Sequence, residues 1–82
     1  MPRFFFHTAD GQRDRDREGV ELPDRVAARK QAIRFAGSVL GNEPDLLWDG
    51  HDFRVEVTDE QDRLLFTVIT LAVDAPQAET PE

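Results

Sequence analysis

Two histidines, His7 and His51, are the first residues that could do chemistry, because imidazole can ligate a metal ion or carry a proton. Acidic residues lie close to each in sequence: Asp10 near His7, and Asp49 and Asp52 beside His51. The two histidines lack the i, i+4 helical spacing that places a pair of ligands on one face. A histidine on a sheet surface or interface needs no such site, and we predict no metal-ligating residue.

Residues 14–19 resemble the first half of a calcium-binding loop. Such a loop takes oxygen ligands at positions 1, 3 and 5 and a glycine at position 6, and the segment fits this order. Position 12 should be a bidentate glutamate but is Arg25, and arginines occupy positions 2 and 4. We therefore interpret the segment as a solvated loop of alternating charge.

The chain offers little for nucleophilic catalysis. It has no cysteine, and its only serine, Ser38, falls on the polar side of a predicted helix. A glycine-rich phosphate-binding loop is also missing. We predict no catalytic, cofactor-binding or metal-binding residues, no cofactor, and a protein that is not an enzyme.

Length and charge narrow the class of protein further. The chain has 82 residues and a formal net charge of −7, which disfavours nucleic acid and anionic membranes as partners. It has no apolar run long enough to span a membrane and no signal-peptide pattern, so we expect a cytoplasmic protein. A domain this small, without disulfides, is marginally stable. We therefore expect self-association to be the main additional source of stability.

The hydrophobic pattern then defines the elements that must position any site. It predicts strands over residues 3–8, 19–22, 53–58 and 64–73, and a helix over 25–40 that begins at an Asp24 N-cap. The expected fold is α+β, with the order β-β-α-β-β and a four-stranded, mainly antiparallel sheet carrying one helix on one face. Residues 1–73 form this single domain, and residues 74–82 are expected to be a disordered acidic tail.

One helix covers only one face of such a sheet, yet apolar residues of the first and last strands belong to both faces. A large uncovered apolar patch usually marks an interface. We therefore expect a protein-interaction module, a homodimer that associates through the second sheet face or the edge of the last strand. The candidate interface residues are Phe5, His7, Leu65, Ile69 and Leu71.

Two alternatives to that interface stay open. The end of the last strand could fold back over the patch, or the loop that carries Trp48 could cover it. Trp48 could also anchor an interface or close the end of the core against Phe53.

A different class of function would use the basic residues Arg25, Lys30 and Arg34, which share one edge of the predicted helix. They could contact nucleic acid or an acidic partner, as in a small regulatory or antitoxin-like protein. A charged outer helix face without a partner is the commoner explanation.

The chain also resembles a family of short bacterial proteins known only as a domain of unknown function. The resemblance rests on the Met-Pro-Arg-aromatic-Phe-His opening at residues 1–7, the Asp-Gly turn at 10–11, the acidic segment leading to Leu-Pro-Asp at 18–24, and the aromatic-Arg-Val-Glu-Val-Thr-Asp strand within 53–66. It covers roughly residues 1 to 70. It implies a fold and no activity, so no functional residue is carried over from it.

Overall fold

The computed structural model describes residues 1–76, except for the side chain of Asp49. Residues 77–82 of the expected tail lie outside the described residues. The elements are β1 (Arg3–Ala9), β2 (Arg13–Asp14), β3 (Val20–Glu21), α1 (Arg25–Asn42), a 3-10 helix (Pro44–Asp49), β4 (Phe53–Thr58) and β5 (Leu64–Thr70). The predicted α+β class and β-β-α-β-β order are confirmed.

The sheet is antiparallel throughout, with the order β2-β1-β4-β5. The short strand β3 also pairs with β1, on the same edge as β2. It pairs with the beginning of β1, whereas β2 pairs with the end of β1. The second strand expected over residues 19–22 corresponds to β3, and β2 is an additional short strand that the sequence pattern did not predict. Between them, residues 15–19 leave the ladder, and Asp16 hydrogen-bonds to β1 through its side chain instead.

The core lies between α1 and one face of the sheet. Three alanines of the helix and five large residues of β1 and β4 are buried: Phe4, Phe6, Ala28, Ala32, Ala36, Phe53, Val55 and Val57. Alanines spaced four residues apart form one stripe of the helix, and their small side chains allow it to approach the sheet closely. The predicted N-cap is confirmed, since the Asp24 carboxylate accepts a 2.9 Å hydrogen bond from the Ala27 N–H.

A register irregularity between Val57 and Thr58 changes the beginning of β5. Val57 faces Phe66, but Thr58 faces Leu64, so Leu65 is the additional residue of a bulge. Simple alternation would place Leu65 away from the helix, and that expectation is wrong because Leu65 packs against the core. The same alternation would place Leu64 on the helix side of the sheet, but Leu64 is exposed.

The connection from α1 to β4 closes the end of the core with leucines rather than with tryptophan. Leu46 and Leu47 of the 3-10 helix pack against the core cluster, whereas Trp48 is largely exposed. Within residues 1–76, α1 is the longest helix, and it is not apolar enough to cross a membrane.

Candidate functional site

The second sheet face, which α1 does not cover, carries a mixture of polar and apolar residues. Its cross-strand rows follow from the register: Phe5 beside Thr58 and Leu64, His7 beside Glu56 and Thr67, and Ala9 beside Arg54 and Ile69. An ion pair of 3.2 Å between Arg13 and Glu56 spans part of it. The face is therefore less apolar than the sequence pattern predicted.

His7 lies at the centre of the polar part and is only 1% exposed. Its Nδ1 accepts a 3.0 Å hydrogen bond from the backbone N–H of Asp16, and its Nε2 lies 2.9 Å from the Thr58 hydroxyl oxygen. Because Nδ1 is an acceptor, the proton of the neutral ring is on Nε2, which donates to Thr58. The loop at residues 15–17 borders this site and, together with His7 and Thr58, lines a cavity of about 210 Å³.

Asp16 holds that loop against β1. One carboxylate oxygen accepts from the Phe6 N–H at 3.1 Å, and the other accepts from the N–H groups of Glu18 and Gly19 at 3.0 and 3.1 Å. The Phe6 N–H lies on the edge of β1 between the two short strands, so the carboxylate supplies the acceptor that a longer strand would have supplied. This hydrogen bonding gives Asp16 a structural role within the segment at residues 14–19.

Burial and neighbouring charges set the ionisation of both groups. Burial lowers the pKa of His7, and the positive charges of Arg13 and Arg15 lower it further against the opposing effect of Asp16 and Asp62. Burial alone would raise the pKa of Asp16, but the hydrogen bonds from Phe6, Gly19 and Glu18 outweigh it and hold that pKa below its usual range. His7 is therefore neutral and Asp16 ionised at neutral pH.

The His7 and Thr58 pair is not arranged as a nucleophile and its base. In a hydrolytic triad the histidine accepts the hydroxyl proton, and its other nitrogen donates to a carboxylate. Here the histidine donates to the hydroxyl oxygen, and its other nitrogen accepts a backbone N–H. Both side chains are also buried, so we assign this cluster a structural role.

The candidate interface residues have four different surroundings. Phe5 is half-buried on the second face next to Gly19, and His7 is buried beside residues 15–17. Leu65 packs against the core, as described above. Ile69 and Leu71 are exposed, Ile69 on the second face and Leu71 just beyond the end of β5.

An accessible apolar surface lies along β5. This strand ends the sheet, and no described strand pairs with its outer edge. Its sequence Leu64–Thr70 contains no charged residue and no proline. Leu64 and Leu71, with Ile69 between them, are exposed along it, and we call these three residues with the strand the β5 edge. The exposed position of Leu64 follows from the bulge, which simple alternation did not predict.

The candidate basic edge is on the surface of α1. Arg25, Lys30 and Arg34 are all exposed, and none of the five ion pairs among the described residues includes them. Contact of this edge with nucleic acid or an acidic partner stays a prediction.

A comparison with protein families identifies the family of this chain. A family model described as a domain of unknown function, DUF6894, matches residues 3–72. The chain belongs to this DUF6894 family. The match confirms the expected membership of a family known only as a domain of unknown function. No significant match was found among curated proteins or among solved structures.

Proposed function

We propose that this DUF6894 domain is a non-enzymatic, cytoplasmic protein-interaction module that forms a homodimer through the β5 edge. The observation that carries the proposal is the outer edge of β5, which no strand within residues 1–76 pairs with, together with its lack of charge. Edge strands in natural proteins are usually protected from association by lysine, proline, a β-bulge, extreme shortness or a covering segment. Beyond the bulge at Leu65, residues 66–70 keep a regular register, carry no charge or proline and have no described strand on their outer edge, so this part of β5 is suited to pairing with another strand.

A second copy is the partner that the strand itself fits. Two β5 strands related by a two-fold axis would pair antiparallel and extend the sheet across both subunits. The exposed side chains of Leu64, Ile69 and Leu71 would then lie against the facing strand, and their burial would add to the backbone hydrogen bonds. A small domain with three alanines among its eight buried apolar residues gains stability from such added burial.

The test compares two isoleucine-to-lysine variants of the full chain. Ile69 is 51% exposed on β5, and Ile33 is 59% exposed on α1, so the two substitutions are matched in chemistry and exposure. Light scattering across a concentration series should give about twice the 9.4 kDa chain mass for the parent and for Ile33→Lys. Ile69→Lys should give the monomer mass, because it places a charge in the new interface.

Circular dichroism of each variant checks that the fold is retained. A parent chain that stays monomeric at the highest concentration would refute the dimer. Equal loss of mass in both variants would show that association does not use the β5 edge.

A further inference from the structure

A groove of about 570 Å³ runs between α1 and the sheet edge formed by β1, β2 and β3. Its apolar lining, which we call the floor, includes the half-buried side chains of Phe35, Val39 and Leu46 and the buried rings of Phe6 and Phe53. The volume lies in the range of ligand-binding clefts, and the groove is on the opposite edge of the sheet from β5.

The charged residues that line the groove are mostly acidic. Asp10 follows β1, Asp14 ends β2, and Glu43 follows α1, and none of them takes part in the five ion pairs of the described residues. The other acid, Asp16, already accepts three backbone hydrogen bonds. The lining cation, Arg15, is paired with Asp62 at 3.2 Å.

The end of α1 adds to this negative potential. The last carbonyl groups of a helix carry a partial negative charge, which a lysine or arginine in the last turn often offsets. The last turn of α1 has no basic residue, and its cap residue, Glu43, is itself acidic. Carboxylates and helix end together favour a positively charged group at this end of the groove.

The shape and chemistry of the groove distinguish between kinds of cation. No group of three histidine or acidic side chains among the described residues is placed to hold a metal ion, so an organic cation fits the groove better than a metal ion does.

The length of the groove suits a peptide. Along α1 the lining extends from Gln31 to Glu43, which spans about 18 Å at 1.5 Å per residue. That length matches about five or six residues of extended chain.

We propose that this groove binds a peptide segment of a partner protein in which apolar side chains are followed by arginine or lysine. The apolar side chains lie on the floor against the half-buried Phe35, Val39 and Leu46. The cationic side chains reach Asp10, Asp14 and Glu43. The site shares no lining residue with the β5 edge, so it does not depend on self-association.

The probe is an acetylated, amidated hexapeptide in which leucine and phenylalanine precede two arginines. Calorimetry should show binding to the parent chain that weakens as salt rises. The double variant Asp10→Asn/Glu43→Gln should bind about tenfold more weakly, because two ion pairs are lost. Its matched control, Glu60→Gln/Asp74→Asn, removes the same two charges from exposed positions outside the groove and should bind like the parent.

Three further measurements decide between occupants. A hexapeptide with glutamates in place of the arginines should not bind, and spermidine, which lacks the apolar part, should bind far more weakly than the arginine peptide. Nuclear magnetic resonance should place the peptide-induced shifts at Phe35, Val39 and Leu46. Equal binding of spermidine, equal losses in the two double variants, shifts elsewhere, or no binding of the arginine peptide would each overturn the proposal.

Discussion

His7 can accept the hydrogen bond from the Asp16 N–H only while its Nδ1 carries no proton. Protonation would place two donors face to face and put a charge in a buried site. The sequence pattern pointed to His7 as a possible metal ligand or proton carrier and as a candidate interface residue. Its structural role depends on a loop that returns from nine residues away, which no local pattern specified.

The stability of the fold should therefore fall on mild acidification. The pKa of His7 is lowered in the folded state, whereas a free histidine titrates near about 6.5. The unfolded chain binds the proton first, so the stability is fully present above about pH 6.5 and is lost as the pH falls through the folded-state pKa. Urea unfolding at a series of pH values from about 7.5 to 5 should show this decline, above the range where Asp16 titrates.

The two histidines provide the control. His7→Gln should lower the unfolding free energy at neutral pH by about 1–3 kcal/mol, as expected for a disturbed buried hydrogen bond, and should flatten its pH dependence. His51→Gln, at an exposed position, should keep the decline. A parent chain with constant stability over this range, or a decline removed by His51→Gln, would contradict the role of His7.

At the scale of elements, the return of residues 15–19 onto β1 depends on a glycine. Gly19 has φ +73°, and a Cβ atom there would lie 2.9 Å from the Arg3 Cγ, the Phe4 carbonyl oxygen and the Phe5 ring. The Phe4 carbonyl oxygen is part of the strand backbone and the Phe5 ring is packed on the sheet, so moving either one costs free energy. Any side chain at residue 19 would therefore push the loop away from the strand that it covers.

Gly19→Ala should lower the unfolding free energy by about 1–3 kcal/mol, the cost of strained backbone at a packed position. The matched control is Gly37→Ala in α1, where a Cβ atom meets nothing within 4 Å. That substitution should raise the unfolding free energy by about 0.5–1 kcal/mol, because alanine is the better helix former. Urea unfolding of both variants measures the difference, and equal effects of the two would contradict the close packing at Gly19.

The strand elements also show where periodicity stops being informative. Alternation located β4 and the inward side of Val55 and Val57, because a regular strand has a period of two. It assigned Leu64 and Leu65 to the wrong sides, because one additional residue reverses the alternation. A bulge is set by pairing with another strand, and that pairing is absent from the local sequence.

For the whole molecule, the proposed dimer links stability to concentration. An interface that forms only in the folded state stabilises it by mass action. The melting temperature of the parent chain should rise with protein concentration, and that of Ile69→Lys should not. Calorimetric scans at about 5, 50 and 500 µM measure this, with Ile33→Lys as the control that should follow the parent. A melting temperature independent of concentration in the parent would contradict a dimer that contributes to stability.

The sequence by itself determined the α+β class, the order of the elements, the Asp24 cap and the family, because these follow from local periodicity, capping chemistry and motifs. Only the tertiary structure decided what each surface offers. It brought the Asp16 N–H to His7, packed Leu65 against the core, exposed Leu64 and placed Asp10, Asp14 and Glu43 around one groove. The physical reason is that these outcomes depend on contacts between residues far apart in the chain, whereas sequence patterns report on neighbours.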